Sequence, residues 1–237
     1  MPTLKNWDNK TWLSSKKYVQ SFNSFILKQK KLNKDSRILD VGCGRGKIIE
    51  NLSSRLKLTN KPIGIDIENF RDKSKKIIFK KTDAISFIHK TKITFDLILI
   101  KQTIHLLKEK QILRLLSICK NRLNDKGKII ILSLDTDKNE FPVFSLMNKK
   151  LKNSLKRDKK IFDLIIGYYS KVIVKKFIFN VKVLKNKYLK MVEKRYISIL
   201  LNLSETQLKN GLIEIDAKYK KDLKFKDRLI CLILKKN

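Results

Sequence analysis

Nine residues constrain the fold of this chain most: Ile38-Leu-Asp-Val-Gly-Cys-Gly-Arg-Gly46. Ile38, Leu39 and Val41 around a single acid, Asp40, read as a short buried strand. Gly42, Gly44 and Gly46 then interrupt it. Glycine tolerates left-handed backbone angles and lets a ligand approach the main chain closely. The KIIENLSSRL stretch that follows carries apolar residues at helical spacing. A strand, a glycine turn and a helix in that order predict an α/β fold with right-handed crossovers and a parallel sheet.

The pattern repeats. PIGIDI predicts a second strand, with Pro62 at a tolerated opening position. KKIIFKKTDA predicts a third, and a short helix starts at Asp83. FDLILIK predicts a fourth strand, and its unbroken apolar run suits burial on both faces. EKQILRLLSICKNRL predicts a helix, residues 124–127 a turn, and KIIILSL a fifth strand. Upstream, Tyr18, Phe22, Phe25 and Ile26 mark one face of a helix from about Ser14, with Trp7 and Trp12 before it. Downstream, residues 143–168, 185–202 and 204–219 predict helices, 171–183 an edge strand and 228–236 a last strand. With no linker or repeat, one domain is expected over 1–237. It comprises a helical cap (1–35), a core (36–135) and C-terminal strands with lid helices (136–237).

Charge is the loudest number: 56 Lys and Arg against 22 Asp and Glu, a formal +34. One reading is a polyanionic partner. The other is codon bias, because only nine of the 56 are arginine, Ile and Asn are also abundant, and the lysines are scattered end to end. Phosphate and base recognition normally draws on arginine forks as well. No apolar run reaches bilayer length, and the N-terminus lacks a secretory core, so a cytoplasmic protein without a membrane span is expected. Cys43, Cys119 and Cys231 have neither disulfide nor metal spacing, so no metal is expected.

The glycine turn fails two nucleotide-site templates. A P-loop needs one more residue between its glycines and Ser or Thr after the lysine, where Ile48 stands. A dinucleotide fingerprint needs its third glycine at position 47, which is Lys. The D-x-G-x-G-x-G actually present resembles motif I of the class I S-adenosylmethionine (SAM)-dependent methyltransferases, and more loosely their type 11 small-molecule group. The likeness continues through Asp66, Asp83, Phe95-Asp96 and the 124–127 turn, over about 36–135. It implies a Rossmann-like sandwich with a mostly parallel seven-stranded sheet and a helical lid, and SAM as cofactor. By this resemblance the cofactor is held by Asp40, Gly42, Cys43, Gly44, Gly46, Asp66 and Ile67 (ribose side), Asp83 and Ala84 (adenine side), and the backbone of Lys101 and Gln102. Taken singly, Asp66 and Asp83 also read as caps or solvated strand ends.

On the acceptor side, His105 is the candidate general base, or else a histidine at a helix start. The Asn-Pro-Pro-Tyr type of tetrapeptide that nucleobase and glutamine methyltransferases place here is absent, which weakens those substrates. Trp12, Tyr18, Tyr169, Arg195 and Tyr196 are the candidate acceptor residues. Arg195 suits a carboxylate-bearing metabolite by a bidentate fork, or else forms a surface ion pair. Three functions stay open: a small-molecule methyltransferase, an RNA methyltransferase using the basic surface, and a non-catalytic SAM-binding subunit. Oligomeric state is not readable from the sequence.

Overall fold

The computed structural model describes residues 10–70 and 72–236; Trp7 lies outside them. Seven strands form one sheet: β1 (Ile38–Val41), β2 (Ile63–Asp66), β3 (Ile78–Lys81), β4 (Phe95–Lys101), β5 (Leu123–Leu134), β6 (Ile173–Val183) and β7 (Leu223–Lys235). Their order is β3-β2-β1-β4-β5-β7-β6. β1 to β5 are mutually parallel, and β7 runs antiparallel to both β5 and β6. The strand order reverses between β1 and β4, which opens a crevice at the carboxyl ends of the strands.

Seven α-helices accompany the sheet: α1 (Lys16–Gln29), α2 (Lys47–Leu56), α3 (Ala84–Lys90), α4 (Glu109–Asn121), α5 (Ser145–Tyr168), α6 (Lys185–Glu193) and α7 (Glu205–Lys218). Alternation along the strands builds two cores. Ile38, Leu97, Leu99, Ile130 and Leu132 pack towards Tyr18, Phe22 and Ile26 of α1 and Ile49 and Leu52 of α2. Leu39, Ile98, Ile100, Ile129 and Ile131 pack towards α4 and the end of α5. The 24-residue α5 joins the two: Met147, Leu151 and Leu155 belong to the first core, Ile161, Phe162 and Ile165 to the second.

β6 and β7 pair from Ile173↔Ile233 to Val183↔Leu223, whereas β7 leaves β5 at Leu229↔Leu134. The ends of β6 and β7 therefore project past the carboxyl rim. Aromatic residues cover one face of that projection: Trp12 packs edge-on against Phe141, Tyr196 and Phe225 at 5.2–5.6 Å.

Two sequence expectations change in detail. Residues 124–127 are not a free turn but an excursion within β5, because Phe95 pairs with Leu123 and Leu97 already pairs with Lys128. Asp96 holds it, accepting from Arg37 N–H (2.8 Å) and Asn124 Nδ2 (3.0 Å). The helix expected over 185–202 ends at Glu193, since Arg195 adopts φ +52°, and a 3-10 turn follows at Ser198–Leu200. Among the described residues, no helix is long and apolar enough to cross a membrane.

Candidate active site

Parallel strands place their carboxyl ends on one rim, so Asp40, Asp66 and Lys101 arrive together by topology. Gly42, Gly44 and Gly46 all take left-handed angles (φ +72°, +54° and +73°). The Gly42 and Cys43 N–H groups both donate to Ile65 O, which ties the turn to β2 (2.8 and 3.1 Å). Asp66 completes the cradle. Its Oδ2 accepts from Gly44 N–H (2.9 Å) and its Oδ1 from Glu68 N–H (3.0 Å). Next to it Ile67 is 64% exposed, an apolar platform beside an acid. No side chain caps the N-terminus of α2, where Gly46 is the N-cap. A Cβ on Gly42 would lie 2.0 Å from Thr103 Oγ1, so the glycine loop and the turn after β4 touch across the crevice.

The Cys43 side chain turns inward. An added Cβ at Gly64 would meet its Sγ at 2.7 Å, so Cys43 offers the crevice its backbone only. Asp83 stands two residues past β3 and caps α3, accepting from Ser86 N–H at 2.9 Å. Hydrogen bonding from the Ser86 side chain, and then from this backbone N–H, holds its carboxyl below the usual range. Ala84 is the half-buried first residue of the same helix. Gln102 takes φ +56°, and its N–H donates to Leu132 O (2.7 Å).

Asp40 is buried, and burial pushes its carboxyl up to about 7; the Lys101 ammonium opposes this rise and Asp66 adds to it. The Lys101 Nζ lies over the rings of Tyr18 (5.4 Å) and Phe22 (5.5 Å). A second buried acid, Asp227 of β7, accepts from Trp12 Nε1 (2.9 Å). Burial raises its carboxyl too, against Trp12, Lys101 and Tyr18. In the sequence Asp227 carries only a weak signal, an acid two residues before the apolar run of the last strand.

His105 sits in the 3-10 turn Ile104–Leu106, and its Nδ1 is buried without a hydrogen-bond partner. Burial lowers its pKa, Asp158 opposes that, and Arg157 adds to it. The imidazole lines a crevice with Gln102, Leu134, Ser154 and Asp158, closed by Ile197–Ile199 of the 3-10 turn.

The expected acceptor residues divide. Trp12, Tyr18 and Tyr196 do come together, but as buried packing: all three are almost solvent-free, and Tyr196 Oη lies 3.1 Å from Tyr188 Oη. Arg195 does not face an acceptor. Its guanidinium donates to Leu200 O (2.6 Å), Leu203 O (2.7 Å) and Glu205 Oε1 (2.6 Å), closing the chain between α6 and α7. Tyr169 is at the opposite rim, against Lys120 at the end of α4 and beside Lys235. It follows the long α5, which carries the chain from the carboxyl rim to the amino ends of the strands.

A family model described as a methyltransferase domain matches residues 15–163, from α1 through most of α5. The chain belongs to that family. It is a class I SAM-dependent methyltransferase. Solved structures agree in fold. A protein assigned as a methyltransferase of an antibiotic biosynthesis pathway from Anabaena variabilis superposes with TM-score 0.64 at 15% identity, covering 89% of this chain and 95% of that one. The plantazolicin methyltransferase BpumL, solved with SAH and a pentazolic desmethylPZN analog, gives 0.54 at 18% identity, with 98% and 89% covered. Precorrin 8W decarboxylase from Methanobacterium thermoautotrophicum gives 0.52 at 12% identity, with 90% and 88% covered. No curated sequence relative matches the methyltransferase.

Proposed function

We propose that this methyltransferase transfers the methyl group of SAM to a small-molecule acceptor that reaches the rim beside His105. The observation that carries the reading is the contact of Gly42 with Thr103, which sets the glycine cradle beside the turn leading to His105. The residues present suit an adenosyl cofactor. The left-handed glycines keep side chains out of the loop, Asp66 ends β2 beside them, and exposed Ile67 offers an apolar surface to a base. Asp40 would face the cationic methionine end, and Asp83 and Ala84 would border the adenine.

SAM supplies an activated methyl group on a positively charged sulfur. The protein's share is alignment, exclusion of water and, for a protonated nucleophile, removal of a proton. His105, whose pKa burial lowers, is our candidate to take it. BpumL, which shares the fold, is solved with a pentazolic desmethylPZN analog and SAH, and that supports a non-nucleic-acid acceptor here. The RNA alternative gains nothing at the crevice, whose lining among the described residues includes no Lys or Arg despite a chain charge of +34.

Incubation with methyl-labelled SAM and cell extract, separated into metabolites and RNA, tests the reading. Label should enter the metabolite fraction, and label confined to RNA would overturn it. Asp66→Ala removes the acceptor of two backbone N–H groups and of the ribose. Loss of one or two such hydrogen bonds should weaken SAM binding about tenfold by calorimetry. An unchanged Kd would remove Asp66 from the cofactor site.

A further inference from the structure

The lining of the crevice beside His105 contrasts with the composition of the chain. The chain has 47 lysines, yet this cavity is lined by one acid, one imidazole, two serines, one glutamine and four aliphatic residues. Its volume is about 20 Å³, room for one water or one hydroxyl. Two features point to a ligand. His105 Nδ1 is buried in the wall with no protein partner, and a buried imidazole nitrogen without a hydrogen bond is costly unless something visits it. Asp158, on the turn of α5 that lines the same cavity, is buried at 4% exposure. It meets the Nη2 of Arg157 only at a long 3.3 Å, and the Arg157 side chain is mostly in solvent.

We propose that Asp158 is the positioning residue for His105, and that the pair serves an acceptor whose nucleophile is a neutral hydroxyl, an alcohol or a phenol. This rests on the methyl-transfer reading above and specifies its acceptor. A carboxylate acceptor finds no cation in the crevice, and Arg195, the group that suggested one, is spent on Leu200, Leu203 and Glu205. A hydroxyl fits the water-sized space and needs a base. In the step, the acceptor O–H proton passes to the imidazole and the oxygen forms the new O–CH3 bond. The S–CH3 bond breaks with its electron pair remaining on sulfur, leaving the neutral thioether. The imidazolium so formed is favoured by the charge of the Asp158 carboxyl, which lines the same cavity without touching the ring. The charged groups facing His105 from α5 are Asp158 and Arg157, of opposite sign.

The opposed signs give a test that needs no substrate. The chain has two histidines, so a His89→Gln background isolates the His105 resonance by NMR in the full-length protein. Asp158→Asn should lower the His105 titration midpoint and Arg157→Gln should raise it. Melting curves for each variant establish that it is folded. Equal midpoints in folded variants would overturn the pairing.

The acceptor class is tested separately, on the product labelled from methyl-labelled SAM and the metabolite fraction. An ether is expected: label stable to mild alkali and released by hot hydriodic acid. Alkali-labile label means a methyl ester, and label surviving both treatments means an N-methyl product; either overturns the hydroxyl assignment. With the purified acceptor, Asp158→Asn should lower kcat about tenfold with little change in KM and move the pH profile with the His105 midpoint. No label in any small-molecule fraction defeats the methyl-transfer reading itself, and the NMR result still decides the pairing.

Discussion

Gly42→Ala should lose most SAM binding and a large part of the fold's stability together. Two costs add. A non-glycine residue at φ +72° is strained by about 1 to 2 kcal/mol. The new Cβ would lie 2.0 Å from Thr103 Oγ1, 2.7 Å from its Cγ2 and 2.9 Å from its Cβ, so the whole threonine side chain must move. Overpacking of that kind costs about 1 to 3 kcal/mol, and it breaks the bond from Thr103 Oγ1 to Lys101 O (3.0 Å). A combined loss of about 3 kcal/mol lowers Tm by about 6 to 12 °C in a chain of this size. If half of it appears at the cofactor site, SAM affinity falls at least tenfold. The paired variant Gly42→Ala/Thr103→Ala separates the two costs: it should recover most of the steric part, leaving the 2.9 Å contact with the retained Cβ, and keep the backbone part. A single variant that melts and binds like the parent would mean that the loop and the turn after β4 are not in contact. His105 lies two residues beyond Thr103, so the same contact ties cofactor geometry to acceptor geometry.

Local signals carried the sequence reading as far as local physics reaches. The turn from Asp40 to Gly46, the apolar run of β4 and the acid ending β2 each announce themselves within a few residues, and a parallel sheet then puts their carboxyl ends on one rim. Residues whose role depends on long-range packing were less legible. Arg195 and Tyr196 are adjacent in sequence, yet the left-handed turn at Arg195 sends its guanidinium to three partners in the following turn while Tyr196 enters the aromatic core. Tyr169 stands out in the sequence of the C-terminal half, but the 24-residue α5 before it spans about 36 Å and delivers it to the far rim. Asp158 reads in sequence as one more charge in a lysine-rich helix. Only its position on the buried stripe with Leu151, Leu155 and Ile161 distinguishes it.

Asp40 should make SAM binding release a proton near neutral pH, and Asp40→Asn should abolish that release while stabilising the cofactor-free protein. The cause is burial at the end of β1, which lifts the carboxyl from 3.8 to about 7, with Lys101 opposing and Asp66 reinforcing. The sign follows from proton counting. Between the two values the folded protein holds a proton that the unfolded chain has lost, so stability falls as pH rises through that window. A rise of that size corresponds to about 4 kcal/mol, fully felt above pH 7. The amide introduced by Asp40→Asn carries no such proton, so the variant should show a flatter Tm-versus-pH profile from about pH 4 to 7 and a higher Tm at about pH 8. Binding reverses the preference. In the proposed site a sulfonium and an ammonium next to Asp40 would favour its carboxylate, so the proton would leave as the cofactor arrives. Calorimetry at about pH 6.5 in buffers of different ionisation enthalpy should give apparent binding enthalpies that change with the buffer, and that dependence should vanish in Asp40→Asn. Affinity at about pH 8, where the wild-type carboxylate is already charged, should drop about tenfold or more in the variant. Buffer-independent enthalpies for the wild type would place Asp40 away from the cofactor's cationic end. A buried acid that weakens the empty fold and favours the loaded one is a stability cost that only cofactor binding offsets, and Asp40→Asn measures both sides of it.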